Sequence, residues 1–219
     1  MHPYQLAFID LALKCQALRF GRFMLKSGRE SPYFFNAACF SDGESLGVLG
    51  QCYAGAIVAA NIGFDMLFGP AYKGIPLATA TAIALHEKFG RSVAFAFNRK
   101  EAKDHGEGGS ISGAPLRGRV LIVDDVITAG TAVRESLELI RAAGAQAVGV
   151  ALALDRQERG QGDTSAVQEL EQREGLRCVS IVTLADLIEA LSQGADARAR
   201  ISAEQLTQLE AYRQRYGAL

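Results

Sequence analysis

Hydrophobic and polar positions alternate along the chain with two different periods, and these periods predict which segments form helices and which form strands. Between residues 6 and 17 the apolar positions recur at helical spacing, which predicts an amphipathic helix that ends near Gly21. A hairpin is expected next, with strands at 22–26 and 31–36 around a turn at Ser27-Gly28-Arg29.

Helices and strands alternate along the rest of the chain. A helix after residue 130 is expected to end at Gly144, and a last helix is marked by Ser202 and Gln205 at capping-box spacing and is expected to be a packing element. Alternating elements of this length predict an α/β protein with a parallel sheet covered on both faces. The other predicted elements are helices at 47–61 and 75–89 and strands at 66–68, 93–97, 120–123, 148–154 and 178–182.

The run from Val120 to Ala132, VLIVDDVITAGTA, joins a buried strand to two adjacent acids and then to a turn of small residues that opens a helix. The strand is apolar at every position, which is typical of a parallel strand with both faces covered. Asp124 and Asp125 therefore fall at its carboxyl end, where open α/β sheets bind ligands. The turn can direct its backbone N–H groups at an anion, so the run predicts a sugar-phosphate site.

Two other interpretations of this run are weaker. The acids could merely cap the next helix and the glycine could merely make a turn, but paired acids directly after an apolar strand are costly unless they ionise against a ligand or a cation. A dinucleotide site would require G-x-G-x-x-G after a strand, and no such spacing follows a strand in this sequence.

The run resembles, without a gap or an unusual substitution, the 5-phosphoribosyl-1-diphosphate (PRPP) motif of the type I phosphoribosyltransferases. The resemblance implies the fold of that family, a mainly parallel sheet flanked by helices with a small hood subdomain. It also implies that the two acids hold the ribose hydroxyls and that the turn holds the 5-phosphate. The PRPP contacts expected from the motif are Asp124, Asp125, Val126, Ile127, Thr128, Ala129, Gly130, Thr131 and Ala132.

The segment 98–112, NRKEAKDHGEGGSIS, combines basic residues with glycines between two predicted strands. A polar loop of this length is usually functional or disordered, and the segment alone leaves a solvated surface equally open. Beside a PRPP motif a mobile loop that closes on the substrate is favoured, because a pyrophosphate and a phosphate need several cations.

RKEAKDHGEGG within this segment resembles the catalytic loop of those family members that use orotate as the base. The resemblance implies a flexible loop that closes over an active site shared across a homodimer interface. It implies that Arg99, Lys103 and His105 contact PRPP and that Lys100 reaches across from the partner subunit. Lys103 is the residue expected to govern the rate, because an ammonium on the departing pyrophosphate stabilises charge that grows in the transition state.

A second anion-binding turn is expected after the strand at 66–68, at Gly69-Pro70-Ala71-Tyr72-Lys73-Gly74. The pattern alone is weak, because Gly-Pro turns before helices are common and Lys73 could be a solvated surface group. The family resemblance implies that this turn is the pyrophosphate loop, with Tyr72 and Lys73 on the ligand. It also implies a non-proline cis peptide bond between Ala71 and Tyr72.

The hairpin presents the aromatic residues Phe34 and Phe35 in sequence, and strand alternation sends them to opposite faces. The pattern alone favours a pair of core aromatics. The resemblance implies instead that residues 1–40 contribute a hood over the base, with Phe34 and Phe35 at orotate and Lys26 reaching PRPP. Ala38-Cys39 stands where the family commonly has Gly-Leu, a change that we expect the edge of the hood to tolerate.

Arg156 follows the predicted strand at 148–154. A guanidinium can pair with a planar carboxylate through two parallel hydrogen bonds, and orotate differs from uracil by such a group. An ion pair with Asp155 or Glu158 is equally open on the residues alone. The resemblance assigns Arg156 to orotate and places Thr128 near the base.

Composition limits the remaining possibilities. The chain has 219 residues, which fits a single domain over 1–219, and a formal net charge of −1, which provides no field for nucleic acid or an anionic membrane. Its four cysteines form no C-x-x-C pair and are expected to be buried free thiols. The amino terminus lacks the pattern of a secretory signal, and the apolar stretch at 52–60 is much shorter than the roughly 20 residues of a membrane span. A cytoplasmic protein is therefore expected.

Together, the resemblance implies an enzyme that transfers the 5-phosphoribosyl group from PRPP to orotate in pyrimidine (UMP) biosynthesis. Lys103, Asp124 and Asp125 are the expected catalytic residues. Mg²⁺ is the implied cofactor, held mainly by PRPP and water, so that no protein side chain is expected to be required as a ligand; Asp124 and Asp125 are the only candidates for such a role. A phosphoribosyltransferase acting on a purine or uracil would not need the 99–105 basic residues or Arg156. A non-enzymatic PRPP sensor would need a nucleic-acid surface that the sequence lacks.

Overall fold

Parallel strands and the helices between them build the centre of the molecule. The computed structural model describes residues 1–25, 27–103, 109–127, 130–160, 162–193 and 201–218. In this part of the chain the helices are α1 (Pro3–Lys14), α2 (Gly43–Ala59), α3 (Gly74–Phe89), α4 (Thr131–Ala142), α5 (Ala166–Glu174), α6 (Leu184–Ser192) and α7 (Ala203–Tyr216), with a short 3₁₀ helix at Ala37–Cys39. The strands are β1 (Leu18–Met24), β2 (Glu30–Phe35), β3 (Met66–Gly69), β4 (Ala94–Lys103), β5 (Gly109–Gly113), β6 (Arg119–Asp124), β7 (Gln146–Asp155) and β8 (Arg177–Thr183).

Six of these strands form one sheet in the order β5-β4-β3-β6-β7-β8. Strands β4, β3, β6, β7 and β8 are parallel, and only β5 runs antiparallel, on the edge. Asp124 at the end of β6 pairs in register with Leu152 of β7, so the carboxyl ends of these central strands lie at the same edge. The predicted mainly parallel α/β fold is confirmed.

Strand β6 is apolar at successive positions because it is covered on both faces. Leu121 and Val123 belong to an apolar cluster shared with α1, α2, α3 and α6, whereas Val120 and Ile122 belong to a second cluster shared with α4 and α5. All four side chains are fully buried. Burial from both sides stabilises the central strand and fixes the position of the two acids that follow its apolar residues.

Strands β1 and β2 form a separate antiparallel hairpin. Its inner side packs on the core through Tyr33, which is fully buried, and through Phe35, whose ring lies 6.0 Å from that of Phe8. The carboxyl-terminal helix α7 also packs against β2. The small subdomain expected beside the main sheet is therefore present.

The first helix ends earlier than its periodicity predicts, at Lys14 and not near Gly21. Gln16 adopts a left-handed backbone with φ of 56°, and the chain then extends so that Leu18 pairs with Phe35. Apolar spacing alone could not show this, because backbone pairing with β2 decides the conformation of residues 18–24. A bulge lies between Phe20 and Phe23 in that pairing.

The segment 98–112 also differs from the loop expected there. Its first part continues β4 as far as Lys103, and its last part lies in β5, with Asn98 opposite Ile111 and Lys103 opposite Gly109. Residues 104–108 lie outside the described part of the chain. An edge ribbon can carry polar side chains because much of its surface is not buried, so its polarity did not distinguish strand from loop.

No helix in the described ranges is long and apolar enough to cross a membrane. All four cysteines are unpaired; Cys52 is buried, whereas Cys15, Cys39 and Cys178 are half-buried, so burial was correctly expected only for Cys52.

Candidate active site

The two adjacent acids lie at the carboxyl edge of the sheet, as their place after the apolar strand predicts. Asp124 is 8% exposed and Asp125 is 5% exposed. The backbone N–H of Asp125 donates a hydrogen bond of 2.9 Å to Oδ1 of Asp124. Beneath them Tyr53, a fully buried residue of α2, donates its hydroxyl hydrogen to the carbonyl oxygen of Asp124 over 2.7 Å. The acids are thus held from inside the core.

Lys73 brings the second predicted turn to these acids. Its Nζ lies 2.6 Å from Oδ2 of Asp125, in a hydrogen-bonded ion pair. The lysine side chain is 52% exposed whereas that of Asp125 is 8% exposed, so the ammonium reaches from solvent onto a buried carboxylate. The structure therefore places three of the predicted site residues together.

The pKa of Asp124 is raised from its usual value of 3.8 to about 7. Burial is the largest cause, because it penalises the charged carboxylate, and the negative charge of Asp125 adds to it. The backbone N–H of Asp125 and the ammonium of Lys73 act in the opposite direction. A buried acid of this kind favours ligands that bring positive charge or hydrogen-bond donors.

The turn between β3 and α3 fits tightly against the end of β6. A Cβ on Gly74 would lie 2.5 Å from Cδ of Pro70 and 2.9 Å from the carbonyl oxygen of Val123, closer than real Cβ atoms approach. The Ala71–Tyr72 peptide bond is cis, as the resemblance implied. The backbone N–H of Ala71 donates to Oδ1 of Asn98 over 2.7 Å, which ties the turn to β4.

Of the described basic residues of β4, Lys100 lies beside this turn, whereas Arg99 contacts β5. Lys100 Nζ is 5.3 Å from the centre of the Tyr72 ring, and Arg99 donates from Nη2 to Oγ of Ser112 over 3.0 Å. Within this single chain Lys100 thus lies over Tyr72 of its own turn. The side chain of Lys103 and the residues Lys26, His105, Thr128 and Ala129 lie outside the described part, so their predicted contacts remain predictions.

The described part of the phosphate turn leads directly into α4. Val126 packs against one apolar cluster and Ile127 against the other, while Gly130 takes a left-handed backbone with φ of 68°. Helix α4 begins at Thr131 and Ala132, a few residues after the two acids. The backbone N–H groups of its first turn therefore follow the acids closely in the chain. Such N–H groups have no partner within a helix and can bind an anion.

The two hood phenylalanines lie on opposite faces of β2, as strand alternation predicts. Phe35 packs against Phe8 and Phe40 of the core, so it is the core aromatic that the pattern favours. Phe34 stacks on Phe23 with ring centres 5.6 Å apart, and the guanidinium of Arg19 lies 5.6 Å from its ring. Phe34 is therefore the one that lies on the face away from the core.

Arg156 lies just beyond the end of β7, but its guanidinium already contacts protein groups. Its side chain is 13% exposed, and Nε donates to the hydroxyl oxygen of Tyr33 over 3.2 Å. Nη2 lies 2.6 Å from Oε1 of Glu158, an ion-pair contact whose angles do not make a hydrogen bond. The ion pair that the residues alone left open is present, and the orotate assignment stays a prediction.

Two supporting residues were not predicted from the sequence. Tyr53 lies in a predicted helix, and its only sequence signal is a hydroxyl in an apolar stretch, which needs a partner when buried. Tyr33 carries the same signal within the hairpin. Neither signal identifies the partner, because the contacts to Asp124 and Arg156 join residues 71 and 123 positions apart.

Comparison with known proteins agrees with this geometry. The family model of the phosphoribosyl transferase domain matches residues 48–187. An orotate phosphoribosyltransferase of Thioalkalivibrio sulfidiphilus is 60% identical over 219 residues, covering 99% of this chain and 100% of the relative. One from Cronobacter sakazakii is 57% identical over 217 residues, with the same coverage.

Solved structures give the same result. The crystal structure of orotate phosphoribosyltransferase from Francisella tularensis matches with a TM-score of 0.84 at 39% identity, over 96% of this chain and 98% of that chain. The Mycobacterium tuberculosis enzyme in complex with PRPP matches with a TM-score of 0.63 at 26% identity, over 84% of this chain and 99% of that chain.

The sheet, the paired acids and the two turns at its carboxyl edge define a type I phosphoribosyltransferase. The full-length similarity narrows the class further. The chain belongs to the orotate phosphoribosyltransferase family.

Proposed function

We propose that this protein transfers the 5-phosphoribosyl group of PRPP to orotate, forming orotidine 5′-monophosphate and pyrophosphate in pyrimidine biosynthesis. The observation that carries the proposal is the 2.6 Å contact between Lys73, in the turn after β3, and Asp125, after β6. It brings a cation for pyrophosphate and acceptors for ribose hydroxyls to one edge of the sheet. A relative is solved with PRPP, and the curated relatives are named for orotate.

In the proposed reaction a ring nitrogen of orotate bonds to the anomeric carbon as the bond from that carbon to the pyrophosphate oxygen breaks, and the proton of the ring N–H is released to solvent or to the departing pyrophosphate. The sugar passes through an oxocarbenium-like state, so catalysis depends on positioning and electrostatics and requires no nucleophilic side chain. Asp124 and Asp125 hold the ribose hydroxyls and lie close to the developing positive charge. Lys73 and Tyr72 bind the pyrophosphate, and Lys103 stabilises the charge that accumulates on it.

The two acids also fit Mg²⁺. Magnesium prefers oxygen ligands and commonly binds through one or two carboxylates together with substrate phosphates and water. Asp124 and Asp125 offer hard oxygen donors at the ligand edge, and both side chains are buried, where a cation would balance their negative charge. These residues would hold the ion together with PRPP, and when bound it neutralises charge on the pyrophosphate.

The base is proposed to lie between the hood and Arg156. Phe34 on β2, with Phe35 behind it in the core, covers the ring, and Thr128 lies near it. Arg156 follows β7, the strand next to β6, so it reaches the same edge as the acids. A guanidinium there matches the carboxylate that distinguishes orotate from uracil.

We also propose a homodimer in which Lys100 serves the partner subunit's site, joined by contacts along α2 and α3. A groove of about 480 Å³ between these helices is lined by apolar residues, among them Leu46, Ile75 and Ile83. Ile83 is 53% exposed, and as part of this apolar groove it offers surface that a second copy can bury. Ile75 follows the pyrophosphate turn directly, so a copy seated on this groove lies beside the active site.

The proposed compartment is the cytoplasm, consistent with unpaired cysteines.

The direct test follows the loss of orotate's ultraviolet absorbance in the presence of PRPP and magnesium, with pyrophosphate measured in the same reaction. Loss of orotate with equimolar release of pyrophosphate, dependent on PRPP, is expected. Uracil, adenine and hypoxanthine serve as parallel bases. Turnover of one of these in place of orotate would retain the PRPP site but reject the base assignment, and no turnover with any base would revive the PRPP-sensor interpretation.

A further inference from the structure

We propose that Glu158 and Tyr212 are positioning residues that orient Arg156 toward the orotate carboxylate, so that the carboxyl-terminal helix α7 takes part in base selection. The inference rests on the proposed function, in which Arg156 binds that carboxylate. It assigns to α7 a role beyond the packing that its sequence predicts.

A single carboxylate oxygen joins the helix to the arginine. Tyr212 of α7 is 5% exposed, and its hydroxyl donates to Oε1 of Glu158 over 2.9 Å. The same oxygen lies 2.6 Å from Nη2 of Arg156. The position of Oε1 therefore depends on Tyr212, and the position of the guanidinium depends on Oε1.

Glu158 is also held from its other side and through its backbone. Nη1 of Arg29 lies 3.9 Å from Oε2, and the Arg29 guanidinium lies 5.1 Å from the ring centre of Tyr216 in α7. The Glu158 backbone forms an antiparallel bridge with Gly217, at the end of that helix. Glu158 therefore cannot turn away from Arg156 without disturbing the end of α7.

The remaining side of Arg156 is held by the hood. Tyr33 accepts from Nε, and its ring packs edge-on against Tyr212 with centres 6.0 Å apart. Nη2 is buried and makes no hydrogen bond to any residue that the structure describes. The 2.6 Å ion pair with Oε1 of Glu158 compensates the buried charge at this nitrogen, so the guanidinium is held by protein groups at both Nε and Nη2.

The charges of the cluster favour an anionic base. Arg29 and Arg156 bring two positive charges and Glu158 brings one negative charge, while burial raises the pKa of Tyr33 and Tyr212 and keeps both hydroxyls neutral. One positive charge is therefore left for a substrate carboxylate to balance. Uracil brings no such group, so the cluster discriminates against it.

A purely structural role predicts a different result from a positioning role. If the cluster only attaches α7 to the hood, removing one of its hydrogen bonds lowers the free energy of unfolding but leaves orotate binding unchanged. If the cluster orients Arg156, removing the same hydrogen bond weakens the binding of orotate and leaves the binding of PRPP unchanged. The KM for orotate compared with the KM for PRPP separates the two cases.

The test is Tyr212→Phe, which removes the hydroxyl and keeps the ring packing. We expect the KM for orotate to rise about tenfold, with the KM for PRPP and kcat changed less than about twofold. Tyr216→Phe is the matched control on the same helix, because its ring contacts remain, and it should leave both KM values unchanged. Urea unfolding of each variant shows that it is folded.

A double-mutant cycle tests the path through Glu158. In a Glu158→Ala background, Tyr212→Phe should add nothing further to the KM for orotate, because the carboxylate through which it acts is gone. Should Tyr212→Phe fail to fold, Glu158→Ala alone replaces it, because it removes the oxygen that holds Nη2 of Arg156, and the same orotate-selective rise is expected.

Parallel changes in both KM values, or no change in either, would overturn the positioning role while orotate turnover by the wild type leaves the proposed function in place. A wild-type protein that does not turn over orotate would overturn both.

Discussion

Lys73 Nζ lies 2.6 Å from Asp125 Oδ2, and this contact joins the turn after β3 to the acids after β6. Because the lysine is half-exposed, solvent screens the ion pair, and its contribution to the free energy of unfolding is small. Its importance lies in placing an ammonium beside the carboxylates before a ligand arrives. Preorganisation of this kind lowers the cost of binding a substrate with several anionic groups.

Lys73→Ala should raise the KM for PRPP roughly ten- to a hundredfold, because one charge-assisted contact to the pyrophosphate is lost. The thermal midpoint should shift little, since the ion pair is screened. The control is Lys88→Ala, which removes an exposed lysine in the last turn of α3, the helix that begins directly after Lys73, and it should leave the KM for PRPP unchanged. An unchanged KM for PRPP in Lys73→Ala would remove this lysine from the site.

Asp124 should make the stability of the folded protein depend on pH. Its folded pKa of about 7 lies above its usual value of 3.8, so the folded state binds the proton more tightly than the unfolded chain does. The acid therefore lowers the free energy of unfolding as the pH rises from about 4 to about 7, by a few kcal/mol at most, and adds no further change above that.

Asp124→Asn cannot titrate, so its free energy of unfolding relative to wild type should rise across this range. Urea unfolding of both proteins at several pH values gives the difference. A difference that does not vary between pH 4 and 7 would show that the carboxyl has an ordinary pKa.

Lys103→Ala should lower kcat about a hundredfold or more, since removing one group that stabilises transition-state charge typically has an effect of that size. The proposed contact is with the departing pyrophosphate, where negative charge grows as the bond breaks. Lys103→Arg keeps the charge and should recover part of kcat. Steady-state kinetics at varied PRPP concentration give kcat and the KM for PRPP of each variant. An unchanged kcat with only a higher KM for PRPP would exclude the catalytic role.

Arg156→Ala should raise the KM for orotate at least about tenfold more than the KM for PRPP, because of the two substrates the guanidinium is proposed to contact only orotate. Arg173→Ala is the control, as that side chain is 76% exposed on α5. Equal effects on the two KM values would mean that Arg156 supports the site as a whole and does not recognise orotate.

The parts of the fold that could be predicted from the sequence are those set by local pattern. The strand at β6 and the acids after it were predicted because four buried apolar residues in a row fit a strand covered on both faces. Helices α5 and α6 were not proposed, although Ser165 with Gln168 and Thr183 with Asp186 form capping boxes at their starts. Those signals were present in the sequence and could have been used.

Other features depend on contacts that no local pattern contains. The first helix ends at Lys14 because residues 18–24 pair with β2, and the ribbon of β4 and β5 forms by pairing across a polar segment. The cluster around Arg156 brings together β2, the end of β7 and α7, which are far apart in the chain. Residue types can suggest that a buried tyrosine needs a partner, but only the packed fold identifies it.

The most direct test of the central claim is a competition experiment. The protein is given PRPP, magnesium and an equimolar mixture of orotate, uracil, adenine and hypoxanthine, and the nucleotide products are identified by mass. The account predicts orotidine 5′-monophosphate as the product, with the other three bases unconsumed. Formation of another nucleotide in its place, or of none, would contradict it.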